Sequence, residues 1–74
     1  IGNGVTSIGD SAFCHCYSLK EVYCKPITPP TGGASMFYYN ATDRSIYVPR
    51  NSVSAYKSAS SWSSYASDIV GYDF

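Results

Sequence analysis

The stretch "IGDSAFCHCYSLKEVYC", Ile8 to Cys24, decides how the rest of the chain is read. It places apolar residues at Ile8, Phe13, Leu19 and Val22, and it holds all three cysteines of the 74-residue chain. Phe13 stands nine positions before Val22, and Phe37 stands the same nine before Ile46. A shift of 24 residues lays Gly9 on Gly33, Phe13 on Phe37, Cys16 on Asn40, Val22 on Ile46 and Tyr23 on Tyr47. The same shift sets Leu19 on Asp43 and Ile8 on Gly32, so the second copy is degenerate. Repeats of about 20–29 residues build coils in which one turn cannot bury its apolar face and needs a neighbour or a cap.

Local signals fit that reading. Glu21-Val22-Tyr23-Cys24 and Ser45-Ile46-Tyr47-Val48 alternate and end near a proline, as short strands do. Val5-Thr6-Ser7-Ile8 is also β-rich. A period of two sends Val22, Cys24, Ile46 and Val48 inward and Tyr23 and Tyr47 outward. One turn apart, those tyrosines would sit about 4.8 Å from each other. Beyond Pro49 the character changes. The spacing predicts a helix near 52–59 with Asn51 or Ser52 as N-cap, and Val53 and Tyr56 on one face. Trp62, Tyr65, Ala66 and Ile69 form a second helical stripe, read as a shorter turn near 61–67 because clustered serines weaken helices. Both apolar faces would close the end of the coil.

Composition narrows the function classes. Five basic and five acidic residues give no net charge, so no clustered positive field draws the chain to nucleic acid. Charged residues make up only 14%, while eight of the twelve aromatics are tyrosine. That balance fits a secreted or surface-exposed chain. No apolar run approaches the ~18–20 residues of a membrane span, so no membrane insertion is expected. The chain opens on Ile1 without a basic-then-apolar start, and any leader is expected upstream or not at all.

The segment Ile8 to Val22 resembles the BspA-like leucine-rich repeat, whose pattern I-G-x-x-A-F-x-x-C-x-x-L-x-x-[IV] is met at every specified position. "SIYVPRNSVSAYKSA", with Trp62, Tyr65 and Ile69 after it, is similar to the C-terminal end of such proteins. The resemblance implies a bacterial cell-surface or secreted protein that binds or adheres rather than catalyses, with no catalytic residues to carry over. The fold expected is an α/β solenoid: a leucine-rich-repeat-like right-handed coil with short parallel strands and a small C-terminal helical cap. In that organisation residues 1–26 are the last well-formed repeat, 27–49 a degenerate repeat and 50–74 the cap, all in one domain.

The cysteines divide on this basis. Cys16 occupies the repeat's own cysteine position and is expected to face inward, as is Asn40 one period later. Cys24 follows Val22 at strand spacing and reads as core. Cys14 and His15 are not specified by the repeat. Zinc needs about four ligands, usually as two close pairs, and the chain offers one pair with Cys24 and His15 besides, so no metal or cofactor is expected. A Cys14–Cys24 or Cys14–Cys16 disulfide stays open. One histidine and scattered carboxylates give no converging acid–base pair, so no catalytic residues are assigned.

The expected core is Val5, Ile8, Ala12, Phe13, Cys16, Leu19, Val22, Cys24, Phe37, Ile46, Val48, Val53, Tyr56, Trp62 and Ile69. The candidate ligand-contact surface is Tyr23 and Tyr47, extended by Tyr38, Tyr39 and Arg44. Tyrosine gives large, rigid, amphipathic area suited to a protein or glycan on a host or neighbouring cell. The leading expectation is a monomeric interaction module. The alternative is a purely structural end cap with no ligand of its own.

Overall fold

The computed structural model describes residues 1–74. Three parallel strands form an open sheet in the order β1 (Glu21–Tyr23), β2 (Ser45–Pro49) and β3 (Ile69–Tyr72), with a short helix α1 (Val53–Ser58) between β2 and β3. The architecture is α/β. The register pairs Val22 with Ile46 and Tyr23 with Tyr47, the 24-residue spacing of the sequence, and pairs Ile46 with Ile69. The strand expected at Val5–Ile8 shrinks to a single parallel bridge, Ser7 with Thr31.

The match between residues one period apart continues outside the sheet. The amides of Ser11, Phe13 and His15 donate to the carbonyls of Ala34, Met36 and Tyr38 at 2.9, 2.8 and 2.9 Å. Asp10 accepts from the Ala34 amide at 2.9 Å. Phe13 and Phe37 stack with ring centroids 5.4 Å apart and planes 11° from parallel. The backbone repeats too. Ser11 and Ser35 hold φ of 55° and 54°, and His15 and Tyr39 hold 63° and 59°. None of these is glycine, so each left-handed residue costs roughly 1–2 kcal/mol that neighbouring contacts must offset. Outside β1, Ile1 makes the two bonds of a parallel pair: its amino group donates to Tyr23 O and its carbonyl accepts from the Lys25 amide.

The core comprises Ile8, Val22, Cys24, Met36, Phe37, Ile46, Val48, Tyr56, Trp62, Tyr65 and Ile69. Several expectations are corrected here. Val5, Ala12 and Cys16 are exposed, while Phe13, Leu19 and Val53 are half-buried. All of these but Val53 lie within residues 1–26, the first of two stacked turns, which packs against the second, residues 27–49, on one side only. Asn40, one period after Cys16, does turn to the neighbouring backbone: its Nδ2 donates to Phe13 O at 2.7 Å. Met36 joins the core unforeseen, and Tyr65, expected on an apolar stripe of the tail but not in the core, is buried there too.

The tail is not purely helical. α1 starts after a 3-10 turn at Arg50–Ser52, and a second 3-10 segment, Ser63–Asp68, leads into β3. Ser52 is the N-cap of α1 but makes no capping bond. Its Oγ donates instead to Ile27 O at 2.8 Å. Ile69 is buried as expected, but from an inner strand position rather than a helix face. The tail closes over residues 26–37 through polar tips on aromatic side chains. Tyr56 OH donates to Pro26 O at 2.5 Å, Trp62 Nε1 donates to Pro30 O at 2.8 Å, and Tyr65 OH accepts from the Phe37 amide at 3.2 Å.

Gly33 marks the tightest approach between turns. A Cβ there would lie 2.4 Å from the Gly9 carbonyl carbon and 2.5 Å from the Asp10 nitrogen, whereas a Cβ on Gly9 meets nothing within 4 Å. Gly33→Ala should therefore destabilise the fold by roughly 3 kcal/mol through forced separation of the turns. Gly9→Ala should stay within about 0.5 kcal/mol. Urea midpoints of the two variants measure the difference, and equal midpoints would contradict the stacked geometry.

Candidate functional site

Strand alternation sets the outward face. On β1 Val22 is buried between exposed Glu21 and Tyr23, and on β2 Ile46 and Val48 are fully buried while Tyr47 points the other way. On β3 Ile69 is buried while Val70 and Tyr72 are exposed. Tyr23 and Tyr47 stack at 4.8 Å with planes 16° from parallel. Tyr72 meets both edge-on, at 5.6 Å from Tyr23 and 5.4 Å from Tyr47, and Phe74 meets Tyr72 at 5.0 Å. The outcome is a row of four aromatic side chains, with Tyr23, Tyr72 and Phe74 each 40–51% exposed. Tyr72 and Phe74 were not foreseen. The signal was a period of two from Ile69 to Tyr72, masked because Gly71 occupies the second inner position.

Charges border the row at both ends. Glu21 and Asp73 are its acidic neighbours: Tyr23 OH points to Glu21 Oε2 at 3.4 Å, and Asp73, between Tyr72 and Phe74, is paired with Arg50 at 2.9 Å. Local desolvation, and then the Glu21 charge, hold the Tyr23 phenol above its ordinary range, so it stays a neutral donor at physiological pH. Tyr72 and Phe74 also border an open groove of about 1200 Å³ whose other wall includes Pro26, Ile27 and Pro30. Ile27 there is 76% exposed.

The remaining candidates lie elsewhere. Tyr38 and Tyr39 are exposed and pack on each other at 4.3 Å, and Tyr39 packs on His15 at 4.9 Å. Their ring contacts form a second group at the turn and do not join the sheet-face row. Arg44 does not extend either surface, because its side chain is only 10% exposed. It donates from Nη1 to Phe37 O at 2.7 Å and from Nη2 to Asp68 Oδ2 at 2.6 Å, with the guanidinium 4.9 Å from the Tyr65 ring centroid. Arg44 thus clasps the second turn to the tail.

All three cysteines are free thiols. Cys24 is buried with its Sγ 3.3 Å from Tyr56 OH, and burial pushes its thiol up, as it does the Tyr56 phenol. No group of three or more His, Cys, Asp or Glu side chains lies where it could hold a metal ion. No helix is long and apolar enough to cross a membrane. No family model, curated protein or solved structure matches the chain.

Removing Arg44 strands a carboxylate, a buried carbonyl and the face of Tyr65. Arg44→Ala should cost roughly 2–4 kcal/mol. Chemical denaturation followed by Trp62 fluorescence reads that loss, and a change below about 0.5 kcal/mol, the size of an ordinary surface substitution, would remove the clasp.

Proposed function

We propose that this chain is an interaction module at the closed end of a leucine-rich-repeat-like solenoid, carried by a bacterial cell-surface or secreted protein of BspA-like type. Its contact surface is the row Tyr23, Tyr47, Tyr72 and Phe74, and its partner is a protein or glycan on a host or neighbouring cell. The observation that carries this reading is the continuous aromatic row on the outward sheet face. Each ring rests on another, so little side-chain freedom remains to be lost on binding, a cost of about 0.5–1.5 kcal/mol for each side chain otherwise immobilised. Tyrosine adds hydroxyls that hydrogen-bond a glycan or a peptide while the ring supplies apolar area.

The solenoid reading rests on the stacking of residues 24 apart in sheet, turn and side-chain packing alike.

A second reading is favoured by a different observation. The tail covers the second turn with Tyr56, Trp62 and Tyr65, while the first turn leaves Val5, Ala12 and Cys16 exposed on its other side. A segment built to seal one end of a stack has this asymmetry, and it needs no ligand.

A binding comparison separates the two. The protein, a Tyr23→Ser/Tyr47→Ser/Tyr72→Ser variant and a Tyr38→Ser/Tyr39→Ser variant are passed over panels of immobilised oligosaccharides and purified extracellular-matrix proteins. The triple variant should lose at least tenfold in affinity for whichever panel member the protein binds, with the double variant unchanged. Equal binding by all three leaves the capping role alone.

A further inference from the structure

The turn from Phe13 to Tyr17 carries a contact that the aromatic row does not use. Cys14 Sγ lies 3.0 Å from His15 Nδ1. Adjacent side chains on an extended chain point to opposite faces. Here His15 is left-handed, with φ of 63°, and its amide is tied to Tyr38 O at 2.9 Å. The imidazole is held as well. It lies against the Tyr39 ring at 4.9 Å and meets the Tyr17 ring edge-on at 5.8 Å. A backbone bond and contacts with two exposed rings therefore orient the nitrogen that faces the thiol, on an imidazole that is itself exposed. With the ring proton on Nε2, Nδ1 is an acceptor for the Cys14 proton.

The three cysteines stand in three different settings. Cys16 is exposed, Cys14 is half-buried and Cys24 is buried. Exposure alone ranks Cys16 the most reactive. Contact with a positioned base ranks Cys14 first, because the thiolate is the attacking species in exchange.

We infer that Cys14 is a thiol–disulfide exchange site for low-molecular-weight disulfides, with His15 as its proton acceptor. The Cys14 proton passes to His15 Nδ1, and the Cys14 sulfur attacks one sulfur of the small disulfide. A mixed disulfide forms at Cys14 as the reagent's S–S bond breaks. The departing thiolate takes the proton from the imidazolium and leaves as a thiol. Cys14 is oxidised to the disulfide level, and one reagent sulfur is reduced. The partial burial of Cys14 favours a small reagent over a protein disulfide.

The test uses the whole chain and oxidised glutathione at neutral pH, with samples quenched over time and each cysteine mapped by mass spectrometry. Cys14 should be modified at least about tenfold faster than the more exposed Cys16, in keeping with the gain from a positioned base, and Cys24 should stay unmodified while the protein is folded. His15→Asn removes the base but keeps a residue that tolerates the left-handed backbone. It should slow Cys14 about tenfold while leaving the Cys16 rate and the far-ultraviolet circular dichroism unchanged. Modification of Cys16 ahead of Cys14 in the unaltered protein overturns the assignment whether or not the variant folds. A Cys14 rate unchanged in a folded His15→Asn variant overturns the role of His15.

Discussion

The close approach of one backbone turn to the next at Gly9 and Gly33 is the constraint on which the other features depend. No side chain fits between the Gly33 Cα and the Gly9 carbonyl, and the two turns meet backbone to backbone there. Once they touch at that point, Phe13 falls on Phe37, Val22 falls on Ile46, and the amides of Ser11, Phe13 and His15 reach carbonyls of the following turn. The registry has a cost, since four non-glycine residues adopt left-handed backbone in matched pairs. The inter-turn hydrogen bonds, worth about 0.5–1.5 kcal/mol each, and the phenylalanine stack, worth about as much beyond its buried area, offset it. Neither pays separately: the strained residues place the amides that make the bonds, so turn geometry and stacking stand or fall together.

The proline-rich link from Pro26 to Pro30 poses the opposite problem. Prolines fix an extended path and remove backbone donors, but their carbonyls still need partners when buried. The tail supplies these from side chains. Tyr56 serves Pro26, Ser52 serves Ile27 and Trp62 serves Pro30. This explains why the tail fills its core positions with tyrosine and tryptophan rather than leucine or phenylalanine. Tyr56 and Trp62 each occupy volume and carry a donor to a carbonyl that no strand reaches, while the Tyr65 hydroxyl accepts from the Phe37 amide. Arg44 performs the same service from the other direction, tying Phe37 O and Asp68 while its plane covers Tyr65.

Much of this was legible in the sequence because repetition survives wherever backbone or core leaves little choice. Glycine at 9 and 33, phenylalanine at 13 and 37, and the valine–isoleucine pair at 22 and 46 gave the period and hence the parallel pairing. What escaped notice lacked such a signature. β3 was hidden because Gly71 interrupts its apolar alternation, and because Trp62, Tyr65 and Ile69 happen to fit a helical stripe. Cys16 was expected inward, but the side on which it would be covered holds no packed turn. The inward fold of Arg44 is invisible in a string, since an arginine in a polar loop reads as solvated until Asp68, 24 residues on, is brought beside it. The left-handed serines, histidine and tyrosine carried no glycine to announce them.

The same repetition bears on where function resides. Stacking turns 24 residues apart places every outward side chain directly beside its equivalent, so any residue chosen there forms a ladder automatically. Inward positions are dictated by volume, and turn positions by backbone geometry. Outward positions are dictated by neither. Threonine or valine would satisfy a sheet face with less exposed ring area. The aromatic choice at Tyr23 and Tyr47 is continued by Tyr72 and Phe74 from a segment with no sequence repeat of its own, and the cross-strand pair of tyrosines also stabilises the sheet by about 0.2–1 kcal/mol. The tail packs its aromatic core residues over residues 26–37 and, through β3 and the two residues after it, lengthens the outward row by two rings, so one segment contributes to both faces of the sheet.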